Sequence, residues 1–234
     1  AGTRAFPRMS ERDVRDAHRV YGMVSNIDDN VGRVLARLEA SGKAENTLVI
    51  FLTDNGPQQR RYNGGMRGLK GSVYEGGVRV PMFMRFPGKF PANREIETPG
   101  MHIDLMPTLV ALVGGPLQQS LDGKNLLPLI DGEEVSWQER PLYFHWQRGF
   151  PEPHRNTAIR RGAYKLVGHR GVNAALGEFE LFNLIEDPSE SRNLIHSHAE
   201  IGQQLKMQYE AWHQEMLSSP NLGTVRIVVG ADEE

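Results

Sequence analysis

The sequence predicts an α/β fold followed by a smaller α+β region, and three patterns indicate it. A helical apolar stripe covers residues 17–39, and a continuous apolar segment covers residues 47–53. A helix followed by a strand buried on both faces is typical of a parallel sheet in an α/β protein. After Pro128, short alternating segments and one last helical stripe predict a small antiparallel sheet packed on a helix.

In the first region, each element follows from its own spacing. Apolar residues recur at three- and four-residue steps along the first helix, and Gly42 suits the left-handed cap that ends it. A second strand is expected at residues 81–86. A helix is expected at residues 104–113, with Asp104 as its N-cap. The glycine-rich residues 54–77 predict a long loop, and loops of that length in compact domains are usually functional or disordered.

In the second region, alternating residues predict strands at 142–146, 163–167 and 179–184. The last helix is expected at residues 198–217, and residues 218–234 form either an edge strand or a frayed acidic tail. The predicted domains are therefore residues 1–130, an α/β core, and residues 131–234, a smaller α+β subdomain.

Composition excludes several classes of function. The 234 residues carry a net charge of −2, which argues against general nucleic-acid binding, and no apolar run is long enough to span a membrane. Without cysteine there is no disulfide, no thiolate zinc site and no cysteine nucleophile. The chain begins at Ala1 with neither an initiator methionine nor a signal peptide, so we expect a piece of a longer protein.

Asp54, Asn55 and Gly56 directly follow the apolar strand. Ligands of α/β proteins bind at the carboxyl ends of the strands. Carboxylate and amide oxygens favour a hard cation such as Ca²⁺ or Mg²⁺ over zinc. The alternative is an ordinary Asp-Asn-Gly turn leaving the strand.

Lys70 lies between glycines in the segment Gly68-Leu69-Lys70-Gly71. Such a lysine can bring its ammonium group close to an anion while the backbone also approaches. The alternative is a solvated loop lysine. Farther along, Glu75 is expected to hold the loop by accepting hydrogen bonds, and Gly76-Gly77 to serve backbone geometry.

Together these motifs resemble the type I sulfatases of the alkaline-phosphatase-like superfamily. The resemblance combines Thr-Asp-Asn-Gly at residues 53–56 with Lys-Gly-x-x-Tyr-Glu-Gly-Gly-Val-Arg-x-Pro at residues 70–81. It continues through the Asp-x-x-Pro-Thr motif at 104–108, Arg-Gly-Ala-Tyr-Lys-Leu at 161–166 and Glu-Leu-Phe-Asn-Leu at 180–184. It implies part of an alkaline-phosphatase-like core sheet with flanking helices, followed by a C-terminal antiparallel sheet packed on a helix.

The resemblance also implies roles for individual residues. Asp54 and Asn55 match calcium ligands of the family, with Mg²⁺ a less favoured ion, and Lys70 matches the catalytic lysine that contacts the sulfate. The family's nucleophile is a formylglycine made within Cys- or Ser-x-Pro-x-Arg. The nearest match here, Ser218-Ser219-Pro220-Asn221-Leu222, has leucine where arginine is required. We therefore expect the nucleophile in an N-terminal half of the parent protein, and no turnover by this chain alone.

The expected partners are that N-terminal half and a sulfated small molecule or glycan. Arg67 and His145 are weaker candidates for substrate binding: a loop arginine often pairs with a carboxylate, and His145 lies within an alternating strand. The family implies a periplasmic or secreted location. Two alternatives stay open, a phosphonate or phosphodiester hydrolase of the same superfamily and a non-catalytic domain that binds sulfated ligands.

Overall fold

The computed structural model of the chain describes residues 9–116, 121–133, 137–169 and 171–219. These residues form two units. One comprises the described parts of Ala1–Tyr62 and Arg79–Arg140, and the other those of Asn63–Val78 and Pro141–Glu234. The sequence-based division at residue 130 stays a prediction. The helices and strands follow in the order α1 (Glu11–Ala40), β1 (Val49–Leu52), α2 (Glu75–Val78), β2 (Met82–Arg85), α3 (Leu105–Leu112), α4 (Leu127–Asp131), β3 (Leu142–His145), β4 (Thr157–Arg161), β5 (Tyr164–Gly168), β6 (Glu180–Asn183) and α5 (Ala199–Leu217).

Helix α1 confirms the predicted first helix and begins earlier than the apolar stripe indicated. Its start is a capping box, in which the Asp13 N–H donates to Ser10 Oγ at 3.1 Å and the Ser10 N–H donates to Asp13 Oδ2 at 3.0 Å. These bonds satisfy N–H groups that the first turn would leave without partners. The first turn was missed because capping side chains are polar and carry no apolar period.

The apolar stripe of α1 is largely exposed. Ala17 is buried, whereas Val24, Ile27 and Val34 are exposed, the last by 67%. Among the described residues, this stripe therefore lies largely at the surface. Helical spacing shows which face is apolar, but it does not show what covers that face.

Strands β1 and β2 confirm the two strands predicted in the first region. They pair in antiparallel fashion, with Val49 opposite Arg85 and Leu52 opposite Met82. The expectation of a parallel partner was therefore wrong. The expectation of burial on both faces was also wrong, because Phe51 and Leu52, on opposite faces of β1, are both exposed. An apolar run reports the character of a strand's faces, whereas the direction of its neighbour depends on a distant segment.

Asp104 precedes α3, as predicted, but its side chain does not cap that helix. Instead the fully buried carboxylate accepts from the Met101 N–H at 2.7 Å and from the Lys124 N–H at 2.8 Å. The Arg140 Nη2 lies 2.5 Å from each carboxylate oxygen. Asp104 therefore joins three segments of the first unit.

The second unit contains the predicted antiparallel sheet and its helix. The four strands lie in the order β3-β4-β5-β6, and α5 contributes Leu205 and Tyr209 to the apolar core beneath them. Strand β4 was not predicted, because Thr157–Arg161 is short and ends in two arginines. The alternatives considered for residues 218–234 concern positions that, from 220 onward, lie outside the described residues. None of the described helices is both long enough and apolar enough to span a bilayer.

Candidate functional site

Asp54 and Asn55 lie immediately beyond the end of β1, in a bend. The Asn55 N–H donates to Asp54 Oδ1 at 2.9 Å, and Asn55 Nδ2 donates to the Gly56 carbonyl at 2.9 Å. Both bonds join adjacent residues within the bend, and they are compatible with the turn interpretation. It does not exclude a ligand site, because Asn55 Nδ2 is bonded within the turn and Oδ1 is the amide atom that could contact a cation.

The donor chemistry of this pair fits a hard cation. A carboxylate oxygen and an amide oxygen are typical ligands of calcium, which takes about six to eight oxygens. Within residues 9–116, 121–133, 137–169 and 171–219, no cluster of three or more His, Cys, Asp or Glu side chains could hold a metal ion. Two side chains offer fewer oxygens than calcium takes, so Asp54 and Asn55 would supply only part of a coordination shell.

Lys70 belongs to the second unit and lies on a glycine-shaped loop. Its side chain is exposed, and the loop beside it depends on close backbone approach. The Gly76 N–H donates to the Arg67 carbonyl at 2.6 Å. A Cβ at Gly76 would lie 2.5 Å from that same oxygen, and one at Gly77 would lie 2.2 Å from the Ser72 carbonyl. The structure thus confirms that Gly76-Gly77 serves backbone geometry.

A buried ionic cluster holds the far end of the loop. Lys165 Nζ, fully buried in β5, lies 2.8 Å from Glu75 Oε1 and 3.0 Å from Glu190 Oε1. The Glu75 N–H also donates to Glu190 Oε2 at 2.7 Å. Burial raises the pKa of Glu190, and the Lys165 charge opposes that shift. Glu75 therefore holds the loop as expected, but sequence reasoning missed its partners.

A second cluster surrounds the aromatic residue of the same motif. The Tyr74 hydroxyl donates to Glu180 and contacts His169. Burial raises the pKa of Tyr74, as does its hydrogen bond to Glu180. The Arg67 guanidinium lies 4.0 Å from the Tyr74 ring centroid and 3.2 Å from Glu180 Oε1. Arg67 therefore pairs with a carboxylate, which the sequence analysis gave as the alternative to substrate binding. A substrate role for Arg67 stays a prediction.

His145 lies at the end of β3 and is half-buried. Its Nδ1 is 3.3 Å from the Tyr209 hydroxyl, and its ring stacks with His213 at 5.7 Å between centroids. These contacts place His145 in the packing between the sheet and α5. A substrate role for His145 stays a prediction that the contacts do not require.

The second unit should lose stability in acid. Burial lowers the pKa values of His145, His154 and His213, and for His154 the Glu210 carboxylate opposes that shift. A histidine whose folded-state pKa lies below its unfolded value of about 6.5 stabilises the fold above that value, and this stabilisation is lost as the pH falls. We therefore expect the free energy of unfolding, measured in urea, to drop between about pH 7.5 and about pH 5.5.

The same measurement on His213→Gln should give a shallower pH dependence, since one buried titrating group is removed. The exposed His18 provides the matched control, and His18→Gln should follow the unmodified chain. An unchanged slope in His213→Gln would contradict this assignment.

Two family models match the chain. The sulfatase model matches residues 2–115, and the model of the N-sulphoglucosamine sulphohydrolase C-terminal region matches residues 69–215. The first match includes Asp54, Asn55 and Lys70, and the second includes Lys70 and the four-stranded sheet.

Individual relatives agree with the family models. Human arylsulfatase A is 36% identical over 193 residues, which are 72% of this chain and 37% of that protein. Steryl-sulfatase of Rattus norvegicus is 34% identical over 165 residues, 63% of this chain and 28% of that protein. The crystal structure of Ps i-CgsB in complex with k-i-k-neocarrahexaose superposes with a TM-score of 0.73 at 30% identity, covering 88% of this chain and 44% of that one.

The fold is that of the alkaline-phosphatase-like hydrolases, to which Ps i-CgsB belongs. Within that class, the chain belongs to the sulfatase family. It spans less than half the length of the relatives it matches.

Proposed function

We propose that this chain is the C-terminal portion of a sulfatase whose whole protein hydrolyses sulfate esters. In that reaction R–O–SO₃⁻ and water give an alcohol or phenol and hydrogen sulfate, and the bond that breaks joins sulfur to the ester oxygen. The observation that carries the proposal is the Asp54-Asn55 turn at the end of β1, together with an exposed Lys70 on a glycine loop. Both lie in a chain that the sulfatase models match.

Lys70 would stabilise the negative charge that develops during the reaction. As the sulfur–oxygen bond breaks, negative charge builds on the leaving oxygen, and an ammonium group placed beside it lowers the barrier. The loop suits this task because Glu75, behind it, is held by the buried Lys165. A rigid backbone restricts the positions that the long Lys70 side chain can occupy.

Asp54 and Asn55 would hold part of a metal site. Membership of the family supports a metal-dependent reaction, and the oxygen-only pair suits calcium, with magnesium less favoured. When bound, the cation would stabilise charge on the sulfate oxygens. The remaining ligands would come from the other part of the protein.

The nucleophile is expected in that other part as well. This chain contains no cysteine, and its only Ser-x-Pro-like segment departs from the motif that formylglycine formation needs. We therefore expect no turnover by the 234-residue chain alone.

The substrate is expected to be a sulfated glycan or a sulfated small molecule. Ps i-CgsB was crystallised in complex with k-i-k-neocarrahexaose, and two of the relatives are named steryl-sulfatase and arylsulfatase A. A periplasmic or secreted location stays a proposal. The phosphonate or phosphodiester hydrolase alternative is not favoured, because the relatives at 34–36% identity described above are sulfatases. A phosphonate monoester hydrolase of Agrobacterium radiobacter matches at 23% identity, which shows a shared fold alone.

The test is hydrolysis of 4-nitrophenyl sulfate by the full-length protein. We expect measurable turnover that chelation of divalent cations abolishes and added Ca²⁺ restores. Lys70→Ala should lower kcat by about 100-fold or more, the usual cost of removing one group that stabilises transition-state charge.

Lys43 offers a matched control, because it is also an exposed lysine outside any regular element. Lys43→Ala should leave kcat unchanged. Turnover by full-length protein that survives Lys70→Ala would overturn the role of Lys70, and absence of turnover on any sulfate ester would favour a non-catalytic domain that binds sulfated ligands.

A further inference from the structure

Asn156 connects the hairpin between β3 and β4 to the loop that carries Lys70. Its Nδ2 donates to the Gly71 carbonyl at 2.7 Å and to the Trp146 carbonyl at 2.8 Å. In the opposite direction, the Trp146 N–H donates to the Asn156 carbonyl at 3.1 Å. One residue therefore closes the end of the hairpin and holds the residue that follows Lys70.

The chemistry of this contact requires an amide. Both partners of Nδ2 are carbonyl oxygens, which only accept, so the side chain must present its two N–H groups to them. An aspartate of the same shape would place a carboxylate oxygen against two carbonyl oxygens, with no proton to share. The backbone at Asn156 has a φ of +50°, a left-handed conformation that asparagine and glycine adopt most readily.

The backbone of Gly71, on the loop side of this contact, is also restricted. Gly71 has a φ of +85°, and a Cβ there would lie 3.6 Å from the Trp146 indole. The indole thus packs against Gly71 while Asn156 bonds its carbonyl. Since Gly71 is bonded directly to Lys70, fixing Gly71 restricts where the Lys70 backbone can lie.

We propose that Asn156 is a positioning residue for Lys70, acting through the Gly71 carbonyl rather than by touching substrate. The catalytic consequence rests on the proposed sulfatase function, whereas the positioning itself does not. A displacement of a catalytic group by about 1 Å can cost about 100-fold in rate, so losing this contact should lower turnover although every charged group remains.

The first experiment uses hydrogen–deuterium exchange of the full-length protein. In Asn156→Asp and Asn156→Gly, amides of residues 68–74 should exchange faster, while strands β5 and β6 keep their protection. Asn156→Gly tolerates the left-handed backbone and removes only the side chain, so the two variants should behave alike in the loop.

Asn173 provides the matched control. It too has a positive φ, +68°, in the second unit, and it is exposed. Asn173→Asp should leave loop exchange unchanged. Unaltered exchange at residues 68–74 in both Asn156 variants would overturn the proposal, whether or not the protein is a sulfatase.

The second experiment measures turnover of 4-nitrophenyl sulfate by the full-length protein. Asn156→Asp should lower kcat by about 10- to 100-fold, with KM changing less. In a Lys70→Ala background the same substitution should cause little further loss, because the group that it positions is already gone. Losses that multiply instead would show that Asn156 acts independently of Lys70 and would overturn the proposal.

Should the full-length protein show no turnover of any sulfate ester, the proposed function fails. The exchange experiment then decides the positioning role by itself.

Discussion

Lys165→Met should destabilise the second unit by about 3–5 kcal/mol, the usual cost of removing one partner from a buried ion pair. Methionine fills a similar volume, so the loss would come from charge rather than from a cavity. The substitution leaves Glu75 and Glu190 buried without the ammonium group that lies 2.8 and 3.0 Å from them. Hydrogen exchange of peptides from β5 and β6 measures the free energy of opening.

Two comparisons separate charge from packing. Arg192 forms an exposed pair with Glu186 at 3.3 Å, and Arg192→Met should cost no more than about 1 kcal/mol. In the triple variant Lys165→Met, Glu75→Gln and Glu190→Gln, the three buried charges disappear together, so part of the lost stability should return. The return should be incomplete because Arg160 Nη1, 3.7 Å from Glu75 Oε2, loses that carboxylate. A Lys165→Met protein as stable as the unmodified chain would show that the cluster contributes nothing.

Asp104→Ala should destabilise the first unit by a similar amount, about 3–5 kcal/mol. The substitution removes the acceptor of two backbone N–H groups and of the Arg140 guanidinium, at distances of 2.5–2.8 Å. Buried donors without an acceptor keep the full cost of their lost hydration. The readout is faster exchange in peptides from α3 and α4, with the second unit unaffected.

Asp104→Asn keeps the shape of the side chain but replaces one acceptor oxygen with a donor. It should recover only a small part of the loss, because three donors converge on the carboxylate. Asp131, exposed at the end of α4, serves as the control, and Asp131→Asn should change exchange little. An Asp104→Ala variant with unmodified exchange in α3 would contradict the joining role of this residue.

The parts of the fold that could be predicted are those whose apolar residues follow a regular period. Helix α5 and strand β5 lie where the spacing placed them, since burial selects apolar residues at helical or alternating positions. The start of α1 and the whole of β4 were missed, because a capping box is polar and β4 ends in Arg160 and Arg161. The antiparallel pairing of β1 was missed because one strand's sequence does not specify its neighbour.

The residues of the candidate site could likewise be predicted only in part. Asp54, Asn55 and Lys70 could be found because each lies in a short motif whose residue types carry the chemistry. The residues that support the loop could not, because they join it only through the fold: Asn156 bonds a residue 85 positions away, Lys165 one 90 positions away and Glu190 one 115 positions away. A single sequence carries no local signal for such pairs.

The contrast between Lys70 on the glycine loop and Lys165 in strand β5 extends to their reactivity. Lys70 is exposed, whereas Lys165 is fully buried in an ion cluster. An amine-acylating reagent needs both access to the nitrogen and a deprotonated nitrogen. In the folded chain Lys165 is buried, so the reagent cannot reach it. Acylation of Lys165 in a peptide map would therefore report opening of the sheet, and acylation of Lys70 would report only that the reagent was present.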